Sequence, residues 1–220
     1  MIVTSTKNFG IDKLKMIIYG ESGSGKTTLA KRIIKDLLNS EEEFGEVSSV
    51  AHETRKIVVK EKLVLTINGK RIEFDLFDTP GIATRIDYET FVKSGMSSRD
   101  AKQRAREATK GVIDSIKSLD NIDMVIVVLD STKNPFNQVN LTIIGNLEAR
   151  KIPVIIAANK IDLKSSKLKK IEDTFPKYPV IGLSAKFSKN MDLFYNELFK
   201  TSRKIRSEEH TSELQSPYVI

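Results

Sequence analysis

This 220-residue sequence predicts an α/β fold of three layers, a mostly parallel sheet with one antiparallel hairpin strand and helices on both faces. Three observations lead there. Met124–Leu129 and Pro153–Ala158 are unbroken apolar runs, as expected of strands covered on both faces in a parallel sheet. Such runs alternate along the chain with segments whose apolar residues recur at helical spacing. Asn68-Gly69 lies between two β-like segments, the strongest short signal for a tight hairpin.

Length and composition set the bounds. The chain length predicts one domain plus short appendages: an extension over 1–12, a domain over 13–202 and a tail over 203–220. With 40% hydrophobic residues it can bury a full core, and 30% charged residues suit a solvated surface. No cysteine is present, which rules out disulfides and thiolate metal sites and agrees with a reducing compartment. The opening MIVTSTKNFG lacks the apolar core of a signal peptide, and the apolar runs are too short to cross a bilayer. A cytoplasmic protein with no transmembrane segment is expected. Arg206–Ser216 (RSEEHTSELQS) looks like one reading frame of a widely used sequencing adapter, so 206–220 is set aside from fold reasoning. That stretch holds one basic and three acidic residues, so the remainder is more basic than the +7 of the whole chain. Such a balance leaves RNA or an anionic surface open as a partner, beside the plain reading of a basic soluble protein.

The elements follow in order. Leu14–Tyr19 (LKMIIY) reads as a buried strand ending at a glycine. Past it come Gly20, Glu21, Ser22, Gly23, Ser24, Gly25, Lys26, Thr27 and Thr28, and then Leu29, Ile33, Leu37 and Leu38 on one helical face. A strand, a glycine-rich turn and a helix start make a phosphate cradle, because successive backbone N–H groups and the helix N-terminus point at an anion. Lys26 adds a positive charge and the Thr27 hydroxyl can ligate Mg²⁺.

Ser40–Ser49 has the composition of an exposed loop. Arg55–Thr66 and Arg71–Phe77 flank the hairpin turn, with Ile72, Phe74 and Leu76 on one face of the returning strand. That strand delivers Asp78-Thr79-Pro80-Gly81, 52 residues after Lys26. A carboxylate at the carboxyl end of a strand can hold Mg²⁺, and the Gly81 N–H can meet a terminal phosphate. Ser97 and Asp100 then form a capping box. Ala101, Ala105, Ala108, Val112, Ile116 and Leu119 continue as a helical stripe whose other face carries Lys102, Arg104, Arg106, Lys110 and Lys117. That basic face is either a solvated surface or a docking site for an anionic partner.

Asp123–Asp130 reads as a buried strand, Val139–Arg150 as a helix, and Ile152–Ala158 as a further buried strand that delivers Asn159-Lys160-Ile161-Asp162. A carboxylate beside a purine accepts two hydrogen bonds from guanine, and adenine lacks both donors. Sites of this kind discriminate by roughly 10⁴–10⁵, because the wrong ligand leaves a polar group unpaired. Val180–Leu183 forms the last strand and leads into Ser184, Ala185 and Lys186, whose backbone can meet the guanine carbonyl. Met191–Phe199 is read as a closing amphipathic helix with Leu193, Phe194, Leu198 and Phe199 turned inward.

GESGSGKT, DTPG, NKID and SAK, in that order, resemble the P-loop GTPases, and within them the Era-like group of the translation-factor-related class. The resemblance spans about Leu14 to Lys200. It implies a P-loop NTPase fold, Mg²⁺ as cofactor, GTP and GDP as substrate and product, and an effector or activating protein, with RNA or the ribosome among the candidates. By position, it implies that Gly20–Thr28 hold the phosphates with Lys26 at the γ-phosphate, and that Asp78 and Gly81 sense that phosphate. Thr27, Asp78 and Thr54, 24 residues before Asp78, would belong to the Mg²⁺ shell, with Lys26, Thr54 and Gly81 serving catalysis. Asn159, Lys160 and Asp162 would grip guanine, and Ser184–Lys186 would complete its pocket.

Three departures stand out. Ile82 follows DTPG where Ras-like members place a water-orienting Gln, which implies slow unaided hydrolysis. His52 and Glu53 flank Thr54 and are read as loop residues before catalytic ones. Gly23 stands where potassium-activated relatives carry Asn, and no KH domain is present in this sequence. The resulting expectation is a guanine-nucleotide switch that hydrolyses GTP slowly. Two alternatives are an RNA- or ribosome-associated assembly GTPase, contacting RNA through the 102–117 face and Lys164–Lys170, and a GTP-binding scaffold with little turnover. Asp162 opposes an ATPase or kinase.

Overall fold

The computed structural model describes residues 13–21, 23–38, 58–78, 95, 97–100 and 122–214. Ten named elements run in the order β1 (Leu14–Gly20), α1 (Lys26–Leu38), β2 (Val58–Ile67), β3 (Lys70–Asp78), β4 (Met124–Asp130), α2 (Gln138–Ala149), β5 (Val154–Asn159), α3 (Leu168–Thr174), β6 (Val180–Leu183) and α4 (Met191–Leu214). The six strands form one sheet in the order β2-β3-β1-β4-β5-β6. β1 runs parallel to β3 and β4, β5 runs parallel to β4 and β6, and β2 alone is antiparallel to its neighbour β3.

The alternation of side chains along each strand divides the core in two. Met16 and Ile18 of β1 and Met124, Ile126 and Val128 of β4 join Leu29 and Ile33 of α1 and Phe194 and Leu198 of α4 on one face. Ile17 and Tyr19, with Val125, Val127 and Leu129, join Ile143, Ile144 and Leu147 of α2 and Ile171 of α3 on the other. Both faces of β1, β4 and β5 are therefore covered, which is why their sequences read as continuous apolar runs.

The hairpin forms as its sequence demands. Asn68 and Gly69 both adopt positive φ (51° and 72°), as a two-residue type I′ turn requires, and Ile67 pairs with Lys70 across it. A bulge between Lys60 and Leu63 puts Lys62 at φ 60°. The Lys62 N–H donates to Asp75 Oδ1 at 2.9 Å, and Lys13 pairs with the same carboxylate, so the buried Asp75 is matched.

Several details differ from the sequence reading. Leu193 was expected inward but is 51% exposed, while Met191, Phe194, Leu198, Ser202 and Ile205 make the buried stripe of α4. The three- and four-residue steps from Met191 leave Leu193 off that stripe. α4 also runs on to Leu214, so the expected 202/203 boundary and the adapter-like residues up to 214 lie within one helix. The Lys164–Lys170 stretch contains the start of a short helix, α3, anchored by the buried Ile171. Ser97 caps as expected, its Oγ accepting from the Asp100 N–H at 3.2 Å. The 101–119 stripe with its basic face, the Ser40–Ser49 loop and residues 52, 53 and 82 lie outside the described residues. Among the described residues no helix is long and apolar enough to cross a membrane.

Candidate nucleotide-binding site

The carboxyl ends of β1, β3, β4 and β5 meet at one edge of the sheet, and the turn after β1 lies across them. Its glycines have distinct reasons. Gly20 (φ 149°) passes so close to the Val128 carbonyl that a Cβ there would collide with it. Gly25 (φ 96°) is pressed against the Asn159 amide in the same way. The chain can therefore cross the sheet end only with bare backbone at these two positions.

Lys26 starts α1 and folds its side chain back over the turn, where Nζ donates to the Glu21 carbonyl at 2.8 Å. Burial pushes its ammonium down to about 8, against the pull of the Asp78 and Glu21 carboxylates. A further negative group beside it would favour its charged form.

Beside it, Thr27 Oγ1 donates to Asp78 Oδ2 at 2.8 Å. Burial raises the Asp78 carboxyl above its ordinary range, although the Thr27 hydroxyl and the Lys26 and Lys31 ammonium groups oppose the shift. Among the described residues no donor reaches Asp78 Oδ1, a buried carboxylate oxygen. A hydroxyl and an unsatisfied carboxylate oxygen side by side fit a hard, oxygen-seeking cation such as Mg²⁺.

The other end is built on β5. Asn159 Nδ2 donates to the Ser24 carbonyl at 2.9 Å, and its Oδ1 accepts from the Ala185 N–H at 3.1 Å. Lys160, at φ 69°, sends Nζ to the Gly23 carbonyl (2.6 Å) and to Asp130 Oδ2 (2.6 Å). Ser184 is buried and closes a small bridge with Lys189. Asp162, Lys186 and Thr28 are exposed, with the Lys186 ammonium 5.2 Å over the Phe187 ring. Gly20, Glu21, Gly23, Ser24, Gly25, Lys26, Thr27, Asp78, Asn159, Lys160, Ser184 and Ala185 thus stand at one place. Ser22, Thr54 and Gly81 lie outside the described residues.

Three participants escaped the sequence reading. Asp130, at the end of β4, holds the Lys160 ammonium; burial works against its charge, but Lys160 and the Thr132 hydroxyl and N–H keep its carboxyl below the ordinary range. It ends its strand as Asp78 does, and that shared signal could have found it. Asn137 Nδ2 donates to Glu21 Oε1 at 2.6 Å, and Arg32 Nε donates to the Ala185 carbonyl at 3.3 Å. A capping Asn and a helix-surface Arg look ordinary in sequence, and nothing local marks them.

With this geometry in place, a family model described as 50S ribosome-binding GTPase matches residues 15–160. The chain belongs to this family. GTPase Der of Thermosipho africanus is 30% identical over 92% of this chain, and GTPase Era of Rickettsia akari 31% identical over 72%. The chain spans less than half the length of these relatives, 43% and 44%. Translation elongation factor SelB of Methanococcus maripaludis, solved with the GTP analogue GppNHp, shares the fold with a TM-score of 0.53 at 19% identity, over 87% of this chain and 34% of that one. The sequence-based assignment to P-loop GTPases of the Era-like kind, and the mixed sheet flanked by helices, both stand.

Proposed function

We propose that this GTPase binds GTP and GDP at the β1–α1 turn and acts as a switch that hydrolyses GTP slowly to GDP and phosphate. The observation that supports it best is the double tie between the phosphate cradle and the loop after β5, Asn159 to Ser24 and Lys160 to Gly23. These bonds support the reading because phosphate-binding backbone and base-reading side chains in a site for a single nucleotide need to be held together.

In this reading Gly20–Thr28 hold the phosphates, and Lys26 stabilises charge that develops as water attacks the γ-phosphate in line. Thr27 and Asp78, with Thr54, hold Mg²⁺, which when bound supplies neutralisation of the phosphate oxygens. Gly81 and Thr54 make the contacts that hydrolysis releases. Asp162, two residues beyond Lys160 and exposed, reads guanine together with the Ser184–Lys186 backbone. Ile82 after DTPG leaves the attacking water without an orienting amide, so a partner sets the full rate. The working unit is residues 13–202 with the rest of α4 continuous with it, and its setting is the cytoplasm.

A ribosomal or RNA partner is the second reading. It is supported by the family description and by Lys164, Lys167, Lys169 and Lys170, all exposed before and along α3. Phosphate release from GTP by the full chain, with and without Mg²⁺, tests the enzyme. Slow, Mg²⁺-dependent turnover lost in Lys26→Ala is expected; tight GTP binding with no turnover, even after adding ribosomes, would leave only a scaffold.

A further inference from the structure

Glu21 is a carboxylate inside an anion cradle. It lies in the second position of the turn, is 5% exposed, and its backbone carbonyl carries the Lys26 ammonium. Its side chain is fixed. Oε1 accepts from Asn137 Nδ2 at 2.6 Å, and Oε2 lies 3.9 Å from Lys133 Nζ. Asn137 is itself immobilised, because its Oδ1 caps α2 by accepting from the Asn140 N–H at 2.9 Å. Glu21 is therefore no mobile surface charge that could swing away when a ligand arrives.

A phosphate cradle works by gathering positive potential from N–H groups, a helix start and a lysine. A fixed carboxylate a few residues away subtracts from that potential and is weakly screened where water is excluded. The tether to Asn137 does not need the charge, since an amide oxygen would accept the same hydrogen bond. What the charge adds is an internal anion for Lys26 and Lys133, with which an incoming phosphate must compete. We infer that the Glu21 carboxylate limits the hold of the turn on nucleotide phosphates and speeds release of GDP. This rests on the nucleotide-binding reading above.

The test is release of fluorescent GDP from the full chain, chased with unlabelled GDP. Glu21→Gln, which keeps the hydrogen bond to Asn137, is expected to slow release about tenfold, with a smaller gain in affinity for GMP than for GDP, because the effect scales with phosphate charge. Lys133→Gln, at an exposed position that does not threaten folding, is expected to speed release in the parent and to change nothing in the Glu21→Gln background. Unchanged or faster release from Glu21→Gln, or an equal effect on GMP and GDP, would overturn the inference while leaving the nucleotide-binding reading intact. No GDP binding by the unaltered chain would overturn both.

Discussion

Asn159 donates through Nδ2 to the Ser24 carbonyl at 2.9 Å and accepts through Oδ1 from the Ala185 N–H at 3.1 Å, so one buried amide joins three loops. The last residue of β5 thereby fixes the distance between the phosphate cradle and the loop after β6. In the proposed reading a single nucleotide must reach both, so that distance bears on its selectivity.

Asn159→Ala removes both bonds and strands two buried backbone groups. A loss of about 2–4 kcal/mol in stability is expected. GDP affinity should fall with it, because the cradle and the base loop can then move apart. Chemical denaturation and a GDP titration of the same sample check the pair of effects; a stable variant with unaltered affinity would contradict the coupling.

Gly25→Ala places a Cβ against the Asn159 amide at φ 96°. No rotamer relieves a methyl group, so the amide or the turn has to shift. Near-complete loss of GDP binding is expected with secondary structure retained by circular dichroism, whereas Gly23→Ala, with open space around it, meets only the backbone strain of its positive φ (75°) and is expected to cost less.

Burial raises the Asp78 carboxyl above the ordinary range, so the fold disfavours its charged form. The folded protein then binds more protons than the unfolded chain in the window just above that range, and this group's contribution to stability falls as pH rises through it. Asp78→Asn removes the cost and keeps an oxygen to accept from Thr27. The nucleotide-free variant is expected to melt higher at neutral pH than the parent, while its nucleotide affinity loses its dependence on Mg²⁺. Differential scanning fluorimetry with and without Mg²⁺ reads both.

Lys26 gives the opposite pH signature. Its ammonium is pushed down to about 8, below the ordinary 10.5. Between those values the folded protein binds fewer protons than the unfolded chain, so this group's contribution to stability rises with pH. Phosphate favours the protonated form, so GDP affinity is expected to fall as pH passes 8, with proton uptake on binding. Calorimetry in two buffers of different ionisation enthalpy measures the uptake, and a guanosine control removes titration of the base itself.

The sheet and the two motif-bearing loops were legible because their signals are local. β1, β4 and β5 are buried on both faces and read as unbroken apolar runs, and Asn68-Gly69 can do little other than turn. Ties across the site were not legible. Asp130 meets Lys160 across 30 residues and Glu21 meets Asn137 across 116, and no spacing rule connects such pairs. The inward face of α4 was misplaced at Leu193 because a nine-residue window, MDLFYNELF, offers more than one apolar stripe, and only the continuation to Ser202 and Ile205 selects the true one.

Recognition of guanine by the loop after β5 is the central claim, and one titration addresses it: the purified chain against fluorescent GDP, ADP and xanthosine diphosphate, repeated with Asp162→Asn. The account predicts GDP binding in the micromolar range or tighter, a preference over ADP of roughly 10⁴-fold, and a shift toward the xanthine nucleotide in the variant. Equal affinity for ADP and GDP, or no change of preference on replacing Asp162, would contradict it.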